Sequence, residues 1–150
     1  MPAVVIALII AAALGGGTAV AAEHALPGDA LWGFKTTVNE NVEHLFVHGD
    51  DASTNLDLSI VATRLDEAQA LAARGRLDAG TQQALVANLR THVQPILDRV
   101  TLLESTNKSQ AADLVSRFQA VLAQHTKNLA GAPASFTAYI HGLFDQASNL

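Results

Sequence analysis

From Leu31 to the end of the chain, apolar side chains return every third or fourth position and never alternate with polar ones for the length of a strand. That spacing matches the turn of an α-helix and gives a sheet nothing to build on. The fold class it predicts is all-α, a helical bundle or hairpin. Breakers cut the pattern into segments. Over 31–47 the stripe is Leu31, Phe34, Val38, Val42 and Leu45, flanked by Trp32 and Phe46 and ended by Gly49 and two aspartates. A second helix, capped by Asp51 or Ser53, carries Leu58, Val61, Leu65, Ala68, Leu71 and Ala72 and closes at Gly75. In Gly75-Arg76-Leu77-Asp78 a helix stop is followed by an N-cap, the form of a link between antiparallel helices.

The third helix, over 79–104, has the seam Leu85, Leu89, Val93, Ile96, Val100 and Leu103, with Pro95 removing one backbone hydrogen bond and bending it. After Asn107 a fourth carries Leu114, Val115, Phe118, Val121, Leu122, His125 and Leu129 and stops at Gly131. The tail holds a short amphipathic pattern of Phe136, Tyr139, Ile140, Leu143, Phe144 and Ala147. Its length makes it marginal alone, so it must dock, and its own bundle, a second copy, another protein or the bilayer could supply the surface, with an intermolecular or membrane-surface contact as the expectation. Phe136, Tyr139, Ile140, Leu143 and Phe144 are therefore candidate interaction residues, as is Trp32 beside the first turn.

Ahead of this pattern, residues 2–22 contain no charge. Twenty-one residues of helix reach about 31 Å, enough to cross a hydrocarbon core. The strongest apolar part is shorter, over 4–14, and is followed by Gly15-Gly16-Gly17 and by Ala19-Val20-Ala21, which suits a signal peptidase. The expected division is a transmembrane anchor or signal peptide over 1–22, a helical bundle over 23–130 and a C-terminal helix over 131–150. The bundle is expected on the extracytoplasmic face of the cell membrane, or secreted or periplasmic if the leader is cleaved.

Charge and cysteine usage narrow the function. Fourteen acidic and nine basic residues give a net charge of −5, with no basic run to track a phosphate backbone, so nucleic acid is not an expected partner. The chain has no cysteine, which rules out disulfides and thiolate chemistry. Glu40, His44 and His48 recur every fourth residue on one helix face, a spacing that suits a divalent metal. They lie opposite Val38 and Val42, and no fourth ligand is evident, so the face reads as solvated and no cofactor is expected. His92 and His125 each border an apolar seam, where they could meet across two helices or serve as hydrogen-bonded boundary residues. Arg64, Asp66 and Glu67 read as surface charges. No nucleophile elbow, HExxH or phosphate loop occurs, and the chain is not expected to be an enzyme.

The segment Ala25-Leu26-Pro27-Gly28-Asp29-Ala30-Leu31-Trp32, followed by Lys35 and Val38-Asn39-Glu40, resembles a bacterial family of envelope proteins. Its members read LPGD-x-LYP-x-K-x-x-x-(N)E shortly after a membrane helix. Arg64-Leu65-Asp66-Glu67-Ala68, Leu71-Ala72 and Gly75-Arg76-Leu77-Asp78 are similar to a second family segment, RRL-x-EA-x-x-LA…GRLD. Trp32-Gly33 stands where Tyr-Pro is common, and Gly80 where a Glu is frequent. The resemblance implies an extracytoplasmic helical domain held by one membrane segment, with some relatives similar to the outer part of anti-sigma-type proteins. It brings no catalytic or ligand residues. The expected function is a tethered interaction or structural module, with envelope stress or metal sensing as the alternative and a small hydrolase as a remote third.

Overall fold

A computed structural model describes residues 24–39, 43, 46–127, 129 and 131–149, with backbone alone at 38 and 39. Among them the protein is all-helical, with no strand. The chain divides into two compact units, Met1–His48 and Gly49–Leu150. No helix among the described residues is long and apolar enough to cross a membrane. The expected anchor at 1–22 lies outside them.

In the first unit, Pro27 and Gly28 turn the chain. Gly28 sits at φ 91°, where only glycine is at ease, and the Asp29 N–H closes the turn onto the Leu26 carbonyl at 2.9 Å. The Asp29 carboxylate accepts from the Leu26 N–H at 3.0 Å. The helix that follows begins after Leu31 without a side-chain cap, as a single turn over Trp32–Phe34. It then widens into a π-helix over Lys35–Asn39 in place of the regular α-helix expected over 31–47. Gly33 and two threonines are poor α-formers, and the Thr36 hydroxyl donates to the Trp32 carbonyl at 3.2 Å, tying that oxygen to a side chain.

The second unit is four helices: α1 (Asp50–Ala73), α2 (Ala79–Thr106), α3 (Lys108–Thr126) and α4 (Ala134–Ser148). Gly49, at φ 95°, precedes α1, and no side chain caps it, contrary to the cap expected from Asp51 or Ser53. At the other end Gly75 takes φ 64°, and the Gly75 and Arg76 N–H groups donate to Ala72 and Leu71 at 3.0 and 2.8 Å. This is the Schellman pattern that a glycine after the last helical residue permits. Asp78 then caps α2 through the Thr81 N–H at 2.9 Å, as expected. Asn107 alone joins α2 to α3, its side chain accepting from the Gln110 N–H at 3.3 Å.

Successive helices pack on one another: α1 on α2, α2 on α3 and α3 on α4, with α1 also against α3 and α2 against α4. Cross-contacts fix the directions. Asp57 meets His92 and Asp50 meets Arg99, so α1 and α2 are antiparallel. Asn55 meets Arg117 and Gln69 meets His125, so α1 and α3 are parallel. The core holds Val61, Leu65, Leu71, Leu85, Leu89, Ile96, Phe118, Leu122, Phe136 and Ile140, each at most 1% exposed. The third seam read from the sequence is thus interior, as are Leu114, Phe118, Leu122 and His125 of the fourth, whose Val115 and Val121 are half-buried and whose Leu129 follows the helix, and α2 runs unbroken through Pro95. The tail was expected to be separate from the bundle, but α4 belongs to the second unit and contributes Phe136, Ile140, Leu143 and Ala147 to its core.

Candidate functional site

On α1, residues 57, 61, 64, 68 and 71 follow one another at steps of four and three, a single stripe along the helix. Val61, Ala68 and Leu71 are apolar, but Asp57 and Arg64 occupy the same stripe and are buried with them. Glu67, one turn beyond Arg64, is buried as well. The reading of Arg64 and Glu67 as surface charges is therefore corrected: they are 0% and 5% exposed. Of that trio only Asp66 faces water.

The buried charges of α1 are paired. The Arg64 Nε–H donates to Asn88 Oδ1 on α2 at 2.7 Å, and one terminal nitrogen pairs with the Glu67 carboxylate. Asp57 Oδ1 accepts from the Nδ1–H of His92, also on α2, at 2.8 Å. Seven residues separate Asp57 from Arg64, about 10 Å along the helix, so the two groups form successive rungs of a polar seam between α1 and α2. Removing either partner of a buried pair leaves a charge stranded in low dielectric. Thr54, one turn before Asp57, has its hydroxyl committed to the Asp50 carbonyl at 2.7 Å.

Of the two readings open for His92 and His125, the structure shows the second: they do not meet across the helices. His92 pairs with Asp57, whereas His125 lies 3.1 Å from Asp66 through Nε2 and 2.7 Å from the Val121 carbonyl through Nδ1. Both are boundary residues satisfied separately. His48 is exposed, with Nδ1 3.0 Å from the Phe46 carbonyl. Glu40 and His44 lie outside the described residues, and among those described no three potential ligands gather at a metal-binding distance.

Of the candidate interaction residues, Phe136, Ile140 and Leu143 are buried in their own bundle and present no outward stripe. The reason is geometric: α3 and α2 already supply the surface that the tail requires. Tyr139 and Phe144 at its edge are half-buried, as is Trp32 in the first unit. The Arg90 guanidinium lies 5.6 Å from the Tyr139 ring centroid, a cation–π distance. Burial pushes the Tyr139 hydroxyl above its ordinary value, with Arg90 pulling the other way. Large apolar side chains left in water are Phe46 in the first unit and Leu102 in the second.

Near the start of α1, Arg99 forks to Asp50 and Asp51 at 2.8 and 2.9 Å. Arg117 reaches Asn55 and, at 3.8 Å, Asp113. The three aspartates are largely exposed, and such pairs contribute little to stability. The polar positions missed from the sequence are Asp57, Glu67 and Asn88. For Asp57 the signal was the stripe itself, which places it and Arg64 in register with three core residues. Comparison with protein-family models, with curated proteins and with solved structures gives no match.

Proposed function

We propose that this chain is a membrane-tethered helical module of the cell envelope that works by binding, to another protein or to itself, and not by catalysis. The observation that carries this reading is how the interior uses its ionisable groups. Asp57 with His92 and Arg64 with Asn88 hold α1 against α2, while Glu67 neutralises Arg64 from within α1, the arrangement of a scaffold whose register is set by matched polar groups. The uncharged run over 2–22 supports the tether. The turn at Leu26–Asp29, fixed by backbone and carboxylate together, suits a chain leaving a membrane, and the likeness of 25–32 and 64–78 to envelope proteins supports the extracytoplasmic side.

The test uses the full chain in native membranes. Alkaline carbonate washing should leave it in the pellet, external protease should reach it, and cross-linking should give a discrete adduct with itself or with one other protein. Recovery of a mature chain beginning at Ala22 or Glu23 in the soluble fraction overturns the tether. Cross-linking that yields only monomer overturns the binding role.

A further inference from the structure

Positions 90, 93, 94 and 97 share one face of α2, and positions 139 and 143 share one face of α4. Because α4 packs chiefly on α3 and only lightly on α2, these faces do not close on each other. Between them lies an open cleft of about 260 Å³. Val93, Leu97 and Leu143, all buried, give it an apolar lining. Arg90 and Tyr139 stand together at the end nearer the helix starts. We propose that this cleft binds a short aliphatic carboxylate, its oxygens taken by the Arg90 guanidinium and the Tyr139 hydroxyl and its tail laid on Val93, Leu97 and Leu143. This goes beyond the tethered-module reading and does not depend on it.

Two donors meet here without an acceptor. The Tyr139 hydroxyl is shut off from water and makes no hydrogen bond. Its charged neighbour is Arg90, which carries N–H donors and no lone pair, so the phenol hydrogen has nothing to bond there. Burial raises the pKa of the phenol, and the hydroxyl therefore keeps that hydrogen at neutral pH. Arg90 in turn makes no ion pair among the described residues. Its guanidinium rests instead on the Tyr139 ring, 5.6 Å from the centroid. Asp98, two turns further along α2, is engaged by the Gln94 amide at 2.8 Å. A carboxylate oxygen satisfies both donors at once, with a charge-assisted bond from Arg90. Since the hydroxyl is closed to water as it stands, the long, exposed Arg90 side chain is the wall that moves off the ring to admit that oxygen. A volume of about 260 Å³ falls below the roughly 300–1,000 Å³ of pockets that hold drug-sized ligands, which fits a short acid and not a long-chain lipid.

Tyr139 is the only tyrosine of the chain, so the full chain in lipid nanodiscs, carbon-13-labelled on tyrosine, gives one set of ring signals that reports on this cleft. Hexanoate should shift them saturably at neutral pH. Hexanamide, which keeps the tail and loses the charge, and acetate, which keeps the charge and loses most of the tail, should each bind at least about ten-fold more weakly. Arg90→Gln should weaken hexanoate about ten-fold and leave hexanamide unchanged. Because Arg90 is exposed, this variant keeps the fold. The proposal is overturned if hexanoate gives no saturable shift, if hexanamide or acetate binds as tightly as hexanoate, or if Arg90→Gln binds hexanoate like the parent.

Discussion

Taking a guanidinium wholly out of water costs several kcal/mol unless its charge and its N–H groups find partners. Arg64 has its charge met by Glu67 and its Nε–H by Asn88, so these members of the seam depend on one another. Arg64→Met should therefore destabilise the protein by about 3–5 kcal/mol, because it strands the buried Glu67 carboxylate. Arg64→Met combined with Glu67→Leu should lose far less, since it removes both charges. Urea denaturation of the two variants decides this, and a double variant as unstable as the single one would show that the pair is not coupled. Arg64 and Glu67 were misread from the sequence because residue type outweighed position: a charged side chain in a helix is usually solvated. Position alone carried the answer, since Arg64 is three residues after Val61 and four before Ala68. His92 was recognisable beside its apolar seam, but its partner Asp57 lies 35 residues earlier, beyond the reach of local spacing.

Helix ends were legible where the cap is local chemistry, since Gly75, Asp78 and Asn107 do what residues of their types do at a helix boundary, but not at the start of α1, which neither Asp51 nor Ser53 caps. The π-helical stretch at Lys35–Asn39 was not legible, since an apolar stripe cannot distinguish a regular helix from a widened one. At the start of α2, the Thr81 backbone N–H and then the Thr81 hydroxyl hold the Asp78 carboxyl below its ordinary value of 3.8. A carboxyl pKa lowered by folding stabilises the folded state above the ordinary value, and that contribution disappears as pH falls through the folded value. Asp78→Ala should accordingly lower the melting temperature at neutral pH. The gap from the parent should narrow steadily as pH is taken below about 4. Circular dichroism melts across that range check it, and a gap independent of pH would mean that the capping carboxylate is not its source.

For the molecule as a whole, the placement of α4 decides what surface is available for binding. Its stripe was visible in the sequence, but a stripe states only that a surface is needed and not whose surface it will be. The bundle supplies that surface through α3 and α2, burying Phe136, Ile140, Leu143 and Ala147. Ending the chain at residue 132 should therefore cost about 5 kcal/mol or more of stability, from the burial of three large side chains, and leave the oligomeric state of the untruncated protein unexplained by its tail. Sedimentation and urea unfolding together test this; an unchanged stability with loss of a dimer would reassign α4 to an interface. The order of packing has a consequence for synthesis. Each helix after α1 lies on the helix that the chain has just completed, α3 also reaches back to α1, and α4 to α2. Contacts between near neighbours in sequence form quickly because little chain entropy is lost in closing them. A ribosome releasing residues in order thus delivers each of α2, α3 and α4 to a platform already in place.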